Sequence, residues 1–425
     1  MPPTKRSGRS ARSSGVGLFL LLRSAAAINV AMMDMVQRNM LNTSILSWEY
    51  GTAAQAMLEY NYGPLGIYGS APIPLPAGTP PPTGVTDIAA YVVANRPSNT
   101  TALFLDGSAA DPASMGVAVL IANATLGSDA SPGSRSNYAQ AAADQLSYLL
   151  NVAPKSPDGA ISHRADQPAD YRTSDSVFMT PPFLAYYGAV TRNSSLLQLA
   201  YDQCRLYRQA LLVPSMGLWQ HIVLGTNSSQ DPGLWSTGNG WAAAGMLRVL
   251  LTINKSVFAS QFAPQVNDLV SWVSEIVNGA MPYQQLNASA LIRNYINEST
   301  FLDAAGTTLL AASTYRLASL GQGTAQLARA ETYYQTLESE RLNGTGWLQP
   351  VVNPNAYASQ GTYSPEGQSF VLMLAAARRD YLAGNVTSSA NSSQSTTPSL
   401  SAASRTLGSS LVLLGLCAAI ALVCL

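Results

Sequence analysis

Residues 303–341 read DAAGTTLLAASTYRLASLGQGTAQLARAETYYQTLESER. The first half, 303–320, is rich in Ala, Gly and Leu all round, and a helix apolar on all sides is buried on all sides. The second half, 324–341, is apolar at spacings of three and four, as a helix with one wet face requires. The Gly-Gln-Gly between them separates the two. A buried helix beside a half-exposed one is the unit of an α/α toroid, an inner ring of helices inside an outer one. The same periodicity predicts helices over 47–60, 136–152, 193–212, 236–254, 262–279 and 365–383, with 113–126 and 176–191 as further ones. Strand-like alternation is scarce, and Pro/Gly-rich stretches at 63–84 and 153–175 divide the helices. Ser364-Pro365-Glu366 sets a cap, a first-turn proline and an acidic residue in the order that starts a helix. No exact repeat marks the pairs, so on the residues alone an irregular helical domain fits as well.

The chain has 425 residues, 47% of them hydrophobic, enough for a large core, while only 11% are charged. Lys+Arg and Asp+Glu both number 23. That balance excludes the basic excess a nucleic-acid partner demands, and the hydrophobicity excludes a disordered chain. So little charge calls for another source of solubility. Asn-x-Ser/Thr triplets at Asn42, Asn99, Asn123, Asn193, Asn227, Asn254, Asn287, Asn297, Asn343, Asn385 and Asn391 supply one, since glycans would add polar surface to an exported protein.

Both ends read as targeting segments. Residues 1–28 carry Lys5, Arg6, Arg9 and Arg12, a short apolar stretch from Val16 to Leu22, and Ala25-Ala26-Ala27 as a cleavage site. The same acid-free composition fits a mitochondrial transit peptide. At the other end, a Ser/Thr-rich linker over 385–410 leads to an apolar run, 411–425. Small residues, a polar spacer and a terminal apolar tail describe a GPI-attachment signal, which makes a lipid anchor the expected membrane contact. Residues 29–384 are then the folded domain, outside the cell. Cys417 and Cys424 lie in the tail, and Cys204 is left as a lone, buried thiol in an apolar helix.

Absences narrow the chemistry. Only two histidines occur, His163 and His221, against a His-rich metal site. Phosphate-binding glycine motifs and a nucleophile elbow are missing, so neither metal nor cofactor is expected. What remains lies in the loops between helices: Asp111 in DPASMG, His163 and Arg164 in DGAISHR, Asp175 in SDSVFMTPPFLA, His221 in LWQH, and Trp235, Asn239 and Trp241 in WSTGNGW. Carboxylates, histidines and indoles at one end of a helical barrel make a sugar site: indole faces stack on sugar rings and a carboxyl group supplies the proton. The competing readings are helix N-caps for Asp111 and Asp175, core packing for the tryptophans, and a simple turn for Gly238-Asn239-Gly240.

These segments resemble glycoside hydrolase family 105, the unsaturated rhamnogalacturonyl hydrolases, with family 88 more distant. DSVFMTPPFLA (175–185) and WSTGNGW (235–241) carry the likeness most specifically, with D-x-x-x-x-G at 111–116, His163-Arg164 and ESTFLDAAG (298–306) in the family's order. Fungal six-hairpin glycosidase-like chains carry very similar WSTGNGW segments. The resemblance implies an (α/α)6 barrel over about residues 47–383. It implies an enzyme that removes a terminal 4,5-unsaturated uronic acid from an oligosaccharide by hydrating its enol ether. Asp175 would be the acid/base, Asp111 the second carboxylate that raises its pKa, and His163, Arg164, His221, Trp235, Asn239 and Trp241 the substrate contacts. One departure stands out: bacterial members typically carry an arginine where this chain has Thr237, so either Arg164 or another cation compensates, or the substrate differs. Another (α/α)6 glycosidase or transglycosidase acting on cell-wall glycan, and a non-catalytic carbohydrate-binding wall glycoprotein, are the alternatives.

Overall fold

A computed structural model describes residues 28–127, 137–226 and 229–394, with side chains to Gly384. Among them are twelve α-helices. In chain order they are α1 (Val30–Thr43), α2 (Ser47–Asn61), α3 (Thr83–Ala94), α4 (Gly116–Leu126), α5 (Tyr138–Asn151), α6 (Ser176–Thr191), α7 (Ser194–Leu211), α8 (Ser236–Lys255), α9 (Ala263–Ala280), α10 (Ala304–Ser319), α11 (Leu327–Thr336) and α12 (Pro365–Gln394).

Burial sorts them. Along α6, α8 and α10 almost every residue is buried, and α2 and α4 are buried over most of their length, whereas α1, α3, α5, α7, α9 and α11 bury one stripe. Even-numbered helices are therefore the inner ring and odd-numbered ones the outer, six hairpins making an (α/α)6 barrel. Neighbouring inner helices pack directly, α6 on α8 and α8 on α10. The ring closes where Arg379 of α12 donates to the Glu59 and Tyr60 carbonyls at the end of α2. Cys204 is fully buried in α7, as filler.

The helices expected over 176–191, 193–212, 236–254 and 303–320 lie within two residues of those observed. Two were not anticipated. In α3, Val85, Ile88, Ala89, Val92 and Val93 bury at helical spacing, but β-branched residues after a proline-rich run weaken the local preference. α1 buries Met33, Val36 and Met40 and begins just after the stretch read as leader-like. Helix α12 is continuous to Gln394, while the compact unit ends at Gly384, where the linker is expected to begin. The rest of the linker, the apolar tail and the N-terminal segment to residue 27 lie outside the described residues.

Two consecutive prolines, Pro181 and Pro182, sit inside α6 and remove the amides that would bond the Val177 and Phe178 carbonyls. Helix α8 compensates. The buried Arg248 guanidinium donates to the Phe178 carbonyl at 3.1 Å and stacks 4.5 Å from its ring. Gly245 lets the backbone at Val177 come so near that a Cβ would stand 2.2 Å from its carbonyl oxygen.

Among the described residues, short strands pair two by two, all antiparallel. Two of these pairs matter for the site: β1 (Arg172–Thr173) with β2 (Ile222–Val223), and β3 (Val351–Asn353) with β4 (Ala356–Gly361).

Candidate active site

The inner helices all begin at one end of the barrel, and there five of the six bring a side chain to one cavity of about 230 Å³. Trp48 comes from α2, Asp111 from the 3-10 turn leading into α4, Asp175 and Met179 from α6, Trp235 and Trp241 from α8, and Glu366 from α12. Loops supply His163, Arg164, Tyr171 and His221, and the β3–β4 hairpin supplies Tyr357. Converging helix N-termini point backbone N–H groups and positive dipole ends toward the cavity, an arrangement that favours an anion.

The loops are tied together by main-chain hydrogen bonds. The His163 carbonyl accepts from Ala109 at 2.8 Å and from the Ser108 hydroxyl at 3.0 Å, which fixes His163 against the turn that carries Asp111. The β1–β2 pair and the Ser174 amide, bonded to the His221 carbonyl at 3.0 Å, join the Asp175 segment to His221.

At the centre, His163 Nε2 stands 3.7 Å from Asp111 Oδ2 and 3.8 Å from Asp175 Oδ2. Neither carboxylate caps a helix: Asp175 occupies the N-cap position of α6 but makes no capping bond, and Asp111 likewise leaves the turn it opens uncapped. Asp111 Oδ1, Asp175 Oδ1 and His163 Nδ1 have no partner among the described residues. The capping reading of both aspartates is thus set aside. Burial pushes the Asp111 carboxyl up to about 6; the His163 imidazole opposes this and the Asp175 charge adds to it. Asp111 is the deeper of the two, its side chain 6% exposed against 22% for Asp175.

His221 is oriented by groups the sequence did not reveal. Its Nδ1 lies 2.8 Å from Asp231 Oδ2, and the Tyr295 hydroxyl donates to the same oxygen. Burial opposes ionisation of Asp231, but these two donors hold its carboxyl below the usual range. The imidazole is flanked by the Trp235 and Tyr357 rings, each with its centroid 4.4 Å away. Trp235 is itself fixed, its indole N–H donating to Asn294 at 2.9 Å while Asn294 donates to the Tyr357 carbonyl at 2.8 Å.

Of the expected site residues, Asp111, Asp175, His163, Arg164, His221, Trp235 and Trp241 line the cavity and Asn239 does not. Asn239 is fully buried, donates to the Trp219 and Trp235 carbonyls and accepts from the Trp219 amide, each at 2.9 Å. Its amide is consumed in pinning the start of α8, so its part is to hold Trp235 in place and not to touch substrate. Thr237 is buried too, its hydroxyl donating at 2.7 Å to Asp303, the cap of α10. Arg164 is half-exposed and paired in two-pronged fashion with Asp166 at 3.0 Å. Glu366, Tyr171, Tyr357 and Trp48 were missed as site residues. Glu366 alone carried a signal, as the acidic residue of a marked helix start, but that signal spoke of the helix.

An (α/α)6 barrel with paired carboxylates, histidines and aromatic walls at the N-terminal end of its inner helices is the architecture of a class of glycosidases. The comparisons with known proteins agree. The model of Glycosyl Hydrolase Family 88 matches residues 129–311. The unsaturated rhamnogalacturonyl hydrolase YesR of Bacillus subtilis is 24% identical over 239 residues, 49% of this chain and 67% of that one. Among solved structures, a possible member of family GH105 from Klebsiella pneumoniae superposes with a TM-score of 0.64 at 15% identity, covering 90% of this chain and 99% of its own. The unsaturated glucuronyl hydrolase of Bacillus sp. GL1 gives 0.53 at 13% identity, covering 80% and 93%. The chain is a glycoside hydrolase, and it is similar to members of families 88 and 105.

Proposed function

We propose that the protein removes a terminal 4,5-unsaturated uronic acid from the oligosaccharides that a pectin (rhamnogalacturonan) lyase leaves behind. The observation that carries this reading is the His163 imidazole set almost equally between the Asp111 and Asp175 carboxylates, inside a cavity walled by Trp235, Trp241 and Tyr357.

The chemistry follows from an enol ether. Protonation at C4 moves the double-bond electrons and leaves an oxocarbenium ion between C5 and the ring oxygen. Water adds at C5 and loses a proton, giving a hemiketal. Its ring opens to a ketone, C1 becomes a hemiacetal, and the attached sugar departs as an alcohol; one water is consumed. Asp175, the more exposed carboxyl, gives the proton to C4 and takes one back from water. One carboxylate thus serves both steps, so the usual separation rule for two catalytic carboxyls does not apply. The aromatic walls hold the ring, and Arg164, half-exposed and able to exchange Asp166 for a substrate anion, lies at the cavity edge.

The test is the loss of ultraviolet absorbance of the conjugated uronide in a rhamnogalacturonan lyase digest. Wild type should remove it, and Asp175→Asn should be slower by at least about 10³-fold, as expected for loss of a general acid that also serves as base. No loss with wild type, alongside release of sugar from saturated wall glycans, would overturn the reading in favour of another glycosidase on the same barrel.

We also propose that the enzyme works outside the cell, glycosylated and held at the surface by its C-terminal tail. In support, every sequon asparagine with a described side chain reaches the surface: Asn42, Asn99, Asn193, Asn254, Asn287 and Asn297 are exposed, Asn123 and Asn343 half-buried. Among the described residues no helix is long and apolar enough to cross a membrane. A mobility shift on deglycosylation and release from cells by a phosphatidylinositol-specific phospholipase are the expected results.

A further inference from the structure

The cavity holds a third acid. Glu366 stands in the first turn of α12, is only 4% exposed, and lines the same cavity as Asp111 and Asp175. Its Oε2 is buried and has no partner among the described residues. The groups that face it explain its state. From α2 comes Glu49, whose carboxylate is already engaged with the Ile45 and Leu46 amides at 2.7 and 2.9 Å. From the start of α10 comes Asp303, engaged with Thr237 and the helix amides. From its own entry turn comes the Ser364 hydroxyl. Across the cavity stand Asp111, Asp175, His163, His221 and Arg164. Among the described residues no cation pairs with Glu366, and the charges acting on it most strongly are acids.

We propose that Glu366 is a substrate-recognition residue that donates its carboxylic O–H to a carboxylate oxygen of the bound sugar acid. Burial, with Glu49 and Asp303 adding, holds the Glu366 carboxyl up to about 8, so it keeps its proton through the neutral range. A neutral acid supplies a buried, unengaged O–H donor at the N-terminus of an inner helix, where an anion is favoured. An acid-to-carboxylate bond is short and charge-assisted. Recognition of the uronate therefore does not need an arginine at position 237, where the structure has a threonine turned to Asp303. The proposal rests on the uronide reading above and names one of its specificity determinants. Glu366 would set KM, leaving the proton transfer to Asp175.

The experiment compares wild type, Glu366→Gln and Glu366→Ala on an unsaturated galacturonyl-rhamnose disaccharide and on its methyl ester. KM and kcat are followed across pH. Binding is measured separately by quenching of tryptophan fluorescence in an Asp175→Asn background, where turnover does not intrude. Glu366→Ala should raise KM and the dissociation constant roughly tenfold or more, the range for a hydrogen bond to a charged group, with a smaller effect on kcat. It should also erase the preference for the free acid over the ester. Glu366→Gln, which keeps a neutral donor, should recover most of the affinity and remove the rise in KM that wild type shows as pH passes about 8. Equal losses in the Gln and Ala variants, or an Ala variant that binds like wild type, would overturn the role of Glu366. A wild-type protein that neither binds nor hydrolyses the uronide would instead overturn the substrate reading, and this proposal with it.

Discussion

Asp111 and Asp175 are the same side chain in two environments. Asp175 stands at the lip of the cavity, and Asp111 lies deeper, where desolvation lifts its carboxyl from the ordinary 3.8 to about 6. A raised acid binds its proton more tightly in the folded chain than in the unfolded one. The folded protein thus carries the extra proton between about pH 4 and 6, and stability is lost as pH rises through that window. A rise of this size corresponds to an effect on the order of 3 kcal/mol. Asp111→Asn should therefore melt several degrees higher than wild type at pH 8, and at the same temperature as wild type at pH 4, while its hydrolytic rate falls at least about 10²-fold. Thermal melts at the two pH values, beside the absorbance assay, check both halves; equal melting shifts at pH 4 and pH 8 would show that Asp111 does not titrate as described. The sequence exposed the reactive side chains but not this division of labour, because burial depth is set by neighbours far along the chain.

At the scale of elements, α6 and α8 are one device. The Pro181-Pro182 pair leaves two carbonyls of α6 without their helical partners, and α8 answers with Arg248 at one and a glycine at the other. Gly245→Ala would force a methyl to within 2.2 Å of the Val177 carbonyl oxygen, so the helices must part. The expected cost is about 1–3 kcal/mol, read as a lower denaturant midpoint. Asp175 and Met179 ride on α6 and Trp235 and Trp241 on α8, so kcat should fall in step. Unaltered stability would show that the ring has slack here. Helix periodicity made both elements legible in outline. Asn239 was misplaced for the same reason that WSTGNGW was conspicuous: a turn rich in polar and aromatic residues looks like a ligand contact until the Trp219 backbone is found against it.

At the scale of the molecule, catalytic and structural duties lie at opposite ends of the barrel. Roughly 18 Å along α2 from its first residue, at about 1.5 Å per residue, Glu59 meets Arg316 of α10 at 2.8 Å, and Arg316 also reaches Asp380 of α12 at 2.6 Å. Arg316 is buried and lies 3.9 Å from the centroid of the Tyr68 ring. Three inner helices are tied by one guanidinium. Arg316→Met would leave the Glu59 carboxylate buried without its guanidinium, at a cost of about 3–5 kcal/mol. Thermal denaturation should show that loss, while the folded fraction at low temperature keeps a kcat near wild type. A large fall in kcat with little loss of stability would mean that this network shapes the site. None of these partners could be matched from the chain alone, since Glu59 and Arg316 are 257 residues apart.

By itself the sequence determined the helical periodicity, the alternation of buried and amphipathic helices, and the motifs that bring Asp111, His163, Asp175, His221 and the two tryptophans into one reading. These are local properties, written in spacings of three and four and in short polar turns. Only the tertiary structure decided which acid is buried, that Asp231 and Tyr295 orient His221, that Asn239 and Thr237 face inward, and that Glu366 joins the cavity as the ring closes. Those facts depend on desolvation and on contacts between segments distant in sequence, and neither exists until the chain folds.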